Sequence, residues 1–338
     1  MSENCLGFDD IILEPKYSTL KSRSEANTNI EVWKHTLVAP IISSNMKTVT
    51  NSKMAIAMWD VGGIGALHRF NSIEENVEEY RRVYNSIYKV NKHNSLRDCF
   101  VSIGVNLEDR ERAEALYDAG ARMFIIDIAH GHSIMMEETI KWLRDKWGED
   151  IYIVGGNVAT ARGTADLCAW GADVIKCGIG NGSLCTTRVV TGHGVPIVTS
   201  LLECSSGITD NQLLICDGGI RTSGDIAKAI VCGADLVMVG SLLAACSESA
   251  SPENGGKKIY QGSAFKPSKN TIAPEGARME IDVIGSVNDV IPNLIAGLRS
   301  GMSYSNSRTL SELGTKGSFR IQTAFAHQEG LPHLLYRK

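Results

Sequence analysis

The 338-residue chain has no apolar run approaching the ~20 residues that a membrane-spanning helix requires. Its opening, MSENCLGFDDIILEPK, lacks a basic stretch followed by an apolar one, so no secretory leader is expected there. It has no basic excess: 34 Lys+Arg stand against 38 Asp+Glu, a formal net charge of -4, which argues against a nucleic-acid partner. Nine cysteines at 5, 99, 168, 177, 185, 204, 216, 232 and 246 form no CxxC pair. The number is odd and the spacing irregular, so neither structural zinc nor a disulfide framework is expected. No Pro- or Ser-rich linker and no low-complexity tract interrupts the chain. What is present is 43% hydrophobic and 21% charged, enough for a large core. The expectation is a globular protein of the cytoplasm, with no membrane span.

One pattern repeats along the chain. Short apolar, β-branched runs end in Gly, Asp, Asn or Ser, and a charged helical stretch follows each. The runs are 37–45, 62–69, 100–106, 123–131, 151–157, 173–180, 212–219 and 235–241. Near-continuous apolar strands are buried on both faces, as parallel strands are. Eight such units predict an α/β fold of the (β/α)8 TIM-barrel type, with an open doubly wound sheet as the alternative. A single domain over 1–338 is expected, with an irregular flap at 247–283 after the eighth strand. In a barrel the carboxyl ends of the strands share one rim. The residues there (Ser43, Ser44, Asn45, His68, Asp127, His130, Asn157, Gly180, Asp217, Gly240) therefore read as one site rather than as separate turns.

The densest signal is CGIGNGSLCTTR, residues 177–188. Three glycines in five residues let the backbone turn tightly and aim its polar groups at a ligand. Cys185 follows, flanked by Ser183, Thr186, Thr187 and Arg188. A nearby arginine and backbone N–H groups would activate the thiol as a nucleophile; an ordinary exposed cysteine is the alternative. Asp217-Gly218-Gly219 and Val239-Gly240-Ser241 end the seventh and eighth strands. Loops there often cradle a phosphate with backbone amides, and Asp217 beside them suits ribose hydroxyls.

These stretches, with FDDIILEPKYSTLKSRSE, APIISSNMKTV, IDIAHGHS, GGNVAT, PEGA and LRSGMSY in order, resemble the IMP dehydrogenase and GMP reductase family over nearly the whole chain. The resemblance implies a barrel in which Cys185 attacks C2 of a purine nucleotide while Thr187 and Glu275 handle the proton. It implies that Asp217, Gly218, Gly219, Gly240, Ser241, Gly262, Ser263 and Gly276 hold ribose and phosphate. It places Ser22, Arg23, Arg69, Asp127, Ile128, Ala129, Gly180, Ser300, Gly301, Met302 and Ser303 near a nicotinamide cofactor. It also implies a possible monovalent cation, K+, at Gly180, Gly182, Cys185 and Arg188, and a homotetramer.

Within that resemblance three features point to the reductase side. Only residues 70–99 separate the second and third strands, where dehydrogenases usually carry a regulatory insert. Residues 259–278 contain no Arg-Tyr pair, the dehydrogenase device for activating water. Asn45-Met46 matches the reductases, although Asn181 replaces their usual proline and Ala273-Pro274-Glu275-Gly276 looks more like the dehydrogenases. The expected reaction is therefore NADPH-dependent conversion of GMP, or of dGMP, to the hypoxanthine nucleotide and ammonia. An insert-free IMP dehydrogenase using NAD and a catalytically silent nucleotide-binding barrel are the alternatives. His130 and His132 have no acidic or thiol cluster beside them, so cofactor contact or a strand-end hydrogen bond is expected rather than a metal. The mixed-charge helix at 72–86 reads as a solvated face, and the tail from 318 as packed against a neighbour or frayed.

Overall fold

The computed structural model describes residues 5–90, 99–265 and 275–332. Eight parallel strands close into a barrel: β1 (Ile41–Ser43), β2 (Ile64–Leu67), β3 (Phe100–Ile103), β4 (Met123–Asp127), β5 (Tyr152–Val158), β6 (Val174–Cys177), β7 (Leu213–Asp217) and β8 (Leu236–Val239). Closure is made by β8 on β1, with Val237 opposite Ile41 and Val239 opposite Ser43. Every residue of β1, β2, β3, β6 and β8 is buried, which is why the runs read as continuous rather than alternating. Alternation still sorts them. Phe100, Ile125, Val154 and Met238 fill the barrel interior, while Val101, Phe124, Ile153 and Val237 face the helices.

The helices follow the same logic. On Ile73–Val90, Val77, Tyr80, Val83 and Ile87 are buried while Glu74, Glu75, Arg81 and Arg82 face solvent, as the mixed charge implied. Leu107–Asp118 and Ser223–Val231 stop where Gly120 and Gly233 take φ of 110° and 102°, a conformation that costs other residues energy.

Three features differ from the sequence expectation. The run 37–45 splits at Pro40: Leu37 ends a hairpin (Ile30–Val32 with His35–Leu37) that plugs the amino end of the barrel, and only Ile41 begins β1. Val32 and Leu37 join the interior cluster, and Trp33 stacks on Tyr152. The segment 247–283 is not simply irregular. Glu253–Asn254, Lys257–Gln261 and Arg278–Asp282 form a three-stranded antiparallel sheet turned by Gly255 and Gly256; its residues 266–274 lie outside the described residues. Finally, Phe319–Ile321 of the tail pairs antiparallel with Ile11–Leu13, and Gln322 N–H donates to the Asp10 carbonyl at 2.8 Å. Residues 333–338 of that tail are again outside the described residues.

Candidate active site

The glycine-rich loop leaves β6 at Cys177 and turns on Gly178 and Gly180, at φ 135° and 77°. A Cβ on Gly178 would sit 2.2 Å from the Asp217 carbonyl oxygen, so the loop runs directly against the end of β7. Cys185 N–H donates to the Gly182 carbonyl at 3.1 Å, and a helical turn, Thr187–Thr191, follows. The return strand of the flap reaches the same place. Cys185 and Gly276 form an antiparallel bridge, with Thr186 N–H on the Glu275 carbonyl (3.0 Å) and Ala277 N–H on the Leu184 carbonyl (2.9 Å).

That bridge brings Glu275 to a loop 88 residues earlier in the chain. The Cys185 thiol donates to Thr187 Oγ1 at 3.0 Å, and the Thr187 hydroxyl donates to Glu275 Oε2 at 2.8 Å. The chain of bonds is a path by which a thiol proton can reach a carboxylate and return. Cys185 is exposed, whereas Cys177, Cys216, Cys232 and Cys246 are buried. Burial pushes the thiols of Cys232 and Cys246 up to about 12, which keeps them protonated and inert.

Arg188 does not pair with the Cys185 sulfur, correcting the expectation that it activates the thiol. Its guanidinium donates to the Asn181 side-chain oxygen and, at 2.9 Å, to the Val195 carbonyl. It braces the loop instead. Gly180 and Gly194 make room for it, since a Cβ on either would meet Arg188 Cγ at 2.6 and 2.8 Å.

The loop is a shared wall between two clefts. The first, of about 380 Å³, is lined by Asn181, Gly182 and Ser183, by Asp217–Arg221, by Gly240 and Ser241, and by Met46, Tyr260 and the segment Gly7–Asp10. Gly218 and Gly219, at φ 103° and 80°, bend the backbone after β7, and Ser241 opens a short helical turn after β8. Backbone amides at two such strand ends suit an anion. Tyr260 Oη lies 3.3 Å from Ser183 Oγ, adding hydroxyls to the cradle. The Asp217 carboxylate accepts from Lys176 Nζ at 3.0 Å and Asn157 Nδ2 at 2.8 Å. Gly262, Ser263 and Gly276 line neither cleft; Gly262 N–H bonds the Ala277 carbonyl at 2.9 Å and so shapes the flap base.

The second cleft, of about 470 Å³, has mainly apolar walls from Ala129, Val158, Ala159, Ile179 and Val195. Thr187, Glu275, Thr160, Thr191, His130, His132 and His193 supply its polar groups. His132 Nε2 is 2.9 Å from Asp166, which lies on the helix Ala161–Trp170. Among the described residues no group of three metal-ligating side chains occurs. An apolar slot beside Thr187 and Glu275 fits a nicotinamide ring.

The other residues expected around a cofactor are dispersed. Asp127 ends β4 and pairs with Lys176 Nζ at 2.9 Å. Burial raises its carboxyl, but the Lys176 ammonium, Arg69 and an Asn45 hydrogen bond outweigh that and leave it below the ordinary range. Ile128 follows Asp127, and Ala129 is the member of that trio facing the second cleft. Arg69 lies over the Phe70 ring, 5.1 Å from its centroid. Ser22 and Arg23 belong to a short turn packed on the helix Val287–Tyr304, which carries Ser300, Gly301, Met302 and Ser303; this group lines neither cleft. For a monovalent cation, no described donor occupies the carbonyls of Gly180 and Cys185. The Gly182 carbonyl already receives Cys185 N–H and the Arg188 carbonyl Gly192 N–H, so the fit is partial.

A sulfur with its own proton path, set between an amide-lined cleft and an apolar one at the carboxyl rim of a barrel, is the equipment of covalent catalysis on a bound anion. Comparison with known proteins gives the family. The IMP dehydrogenase / GMP reductase domain matches residues 5–333, and the chain belongs to this family. The chain is 35% identical to an inosine-5'-monophosphate dehydrogenase of Cryptosporidium parvum, covering 97% of this chain and 94% of that protein. It is also 35% identical to a GMP reductase of Mesoplasma florum, covering 90% and 94%. Among solved structures, a cysteine-to-alanine variant of GMP reductase from Trypanosoma brucei, in complex with guanosine 5'-monophosphate, superposes with a TM-score of 0.91 at 26% identity, covering 98% of each chain. Members of the family are oxidoreductases that use nicotinamide cofactors.

Proposed function

We propose that this chain is a GMP reductase, converting GMP and NADPH to IMP, NADP and ammonia. One observation carries the reading. The acid–base path to Cys185 runs through Thr187 to Glu275, and residues 259–278 offer no adjacent Arg-Tyr pair to activate a hydrolytic water. The T. brucei reductase, bound to GMP in its crystal, supports the assignment of the first cleft to a purine nucleotide.

In this reading the amides around Gly218, Gly219, Gly240 and Ser241 hold the phosphate, Asp217 takes the ribose, and the purine reaches Cys185. The thiol proton passes through Thr187 to Glu275 as sulfur bonds to C2. Glu275 returns a proton through Thr187 to the 2-amino group, the C2–N bond breaks, and ammonia leaves. Acid assistance of this kind is typically worth ~10²–10⁴ in rate. The nicotinamide cofactor, when bound in the second cleft, supplies a hydride to C2. Cys185 then departs as thiolate, and a proton taken from solvent restores the thiol. The chain's own share is position, proton transfer and exclusion of water between the two clefts.

The test is the absorbance of reduced nicotinamide with purified protein, offered GMP plus NADPH and, separately, IMP plus NAD. A fall in the first arm with stoichiometric ammonia is the expected result. A rise in the second arm would overturn the reading in favour of IMP dehydrogenase, the activity carried by relatives of equal identity. Silence in both arms with retained nucleotide binding would instead indicate a binding barrel.

A further inference from the structure

Glu275 reaches the proton path from the flap, so whatever holds the flap sets where its carboxylate sits. The return strand Arg278–Asp282 buries none of its residues and cannot fix itself to the barrel by packing. Just before it, Gly276 bridges Cys185; along its length it is laddered to Lys257–Gln261, with Gln261 opposite Arg278 and Lys258 opposite Ile281. The inner strand is therefore the member that ties this sheet down. It does so with alternate residues on one face, Lys258 and Tyr260, which are 3% and 4% exposed.

Tyr260 lines the first cleft, but Lys258 lines neither, and an ammonium is a costly group to bury there. Its Nζ donates to the carbonyls of Ser247 (2.9 Å) and Ser249 (3.1 Å), in the segment that follows the helical turn after β8. Lys53 Nζ donates to the same Ser247 carbonyl at 3.0 Å. The carboxylate between those carbonyls, Glu248, is engaged elsewhere, by the Ser286 hydroxyl at 2.5 Å and Val287 N–H at 3.1 Å. Burial and the neighbouring Lys53 lower the Lys258 pKa. A second tie lies at the end of the strand, where Gln261 N–H donates to Thr48 Oγ1, on the loop after β1, at 3.1 Å. Apolar packing resists lifting a strand away but is non-directional, whereas hydrogen bonds at two points also stop it sliding along its axis.

We propose that Lys258 and Thr48 are positioning residues for the proton path. They fix the inner flap strand along its length, the ladder passes that position to the return strand, and Glu275 is thereby set within hydrogen-bond distance of Thr187. The inference rests on the reading of Glu275 as the acid–base group and adds what places it. Misplacing a reacting group by about 1 Å costs up to ~10²-fold in rate, so a small slide of the strand is enough to be measured.

The test is a double-mutant cycle on the full chain, read as kcat at saturating GMP and NADPH. Lys258→Met keeps an apolar stem of similar length and removes the donors. In the wild-type background it is expected to lower kcat about ten- to hundredfold. In the Glu275→Gln background it is expected to change kcat by less than about twofold, because the carboxylate it positions is already gone. Loss of folded protein would scale turnover by the same factor in both backgrounds, so equal factors would mean a merely structural role and overturn the proposal. Unchanged kcat on Lys258→Met in the wild-type background would overturn it too. Thr48→Val, run through the same cycle, decides the matter if Lys258→Met does not fold: a loss confined to the background that retains Glu275 supports the proposal, and equal factors overturn it. Wild-type turnover in Glu275→Gln alone, or none in the wild type, would sink the underlying reading and the proposal with it, a result distinguishable from parallel losses.

Discussion

The two clefts that share the Cys185 loop are built by opposite means. The first is made at strand ends, from glycine backbone, a short helical turn and one carboxylate fixed by a buried lysine. The second is made from side chains, with an apolar wall and polar groups from Thr187, three histidines and a flap residue, Glu275. The difference separates holding from reacting. Backbone amides cannot be removed by side-chain substitution and do not titrate, which suits a permanent anion. Proton transfer requires side chains, and these arrive partly on a segment that meets the Cys185 loop through an antiparallel bridge.

If the division is real, substitutions on the reactive side should leave nucleotide binding intact. Cys185→Ala is expected to abolish turnover while GMP affinity, measured by calorimetry, stays near wild type; steady-state turnover in that variant would break the comparison. Glu275→Gln is expected to lower turnover by ~10²–10⁴ with the same retained binding, and single-turnover assays should show ammonia release slowed more than hydride transfer.

The reverse defect belongs to the first cleft. Gly218 combines φ of 103° with a Cβ position 2.8 Å from the Asn181 carbonyl. Gly218→Ala must therefore shift either the cradle or the Cys185 loop. The expected outcome in steady-state kinetics is a KM for GMP raised about tenfold or more, with kcat reduced less. A fall in kcat at constant KM would show that the cradle and the thiol are one unit.

The smallest effect tests the opposite end of the barrel, far from either cleft. His35 in the plug hairpin is buried against Trp59, and neither ring nitrogen has a hydrogen-bond partner among the described residues. Burial lowers its pKa to about 4. The unfolded chain takes up the proton first, so stability is full above the ordinary histidine value of about 6.5 and is lost as pH falls toward 4. That loss is roughly 3 kcal/mol for complete titration. His35→Leu should flatten the slope of urea-unfolding stability over that pH window without changing GMP binding. His68, also lowered to about 4 chiefly by burial, leaves a residual slope.

Much of this was legible in the sequence because the barrel repeats a local pattern. Each of the eight apolar runs overlaps one barrel strand, and the residues at their ends are those that gather at the rim. The Cys185 loop was legible for the same reason, being contiguous. What escaped depends on long-range pairing. The flap sheet has charged strands such as KKIYQ, which carry little apolar signal. Tyr260 and the Gly7–Asp10 segment reach the first cleft only through tertiary packing. Lys176 carries a local sign, being a single charge inside a strand buried at every position. Arg188 shows the converse error, since proximity in sequence to Cys185 implied a contact that the Asn181 and Val195 oxygens take instead.

The pairing of Ile11–Leu13 with Phe319–Ile321 also has a meaning in time. Ribosomal synthesis proceeds from the amino end, so Gly7–Asp10 emerge long before Phe319–Ile321, the strand whose pairing seats them beside the first cleft. The first cleft is thus finished only well after the eighth barrel strand has been made. A nascent chain that has already closed its barrel still lacks one wall of the first cleft, and a chain cut short before residue 318 would carry Cys185, Thr187 and Glu275 in place while leaving that wall unsupported.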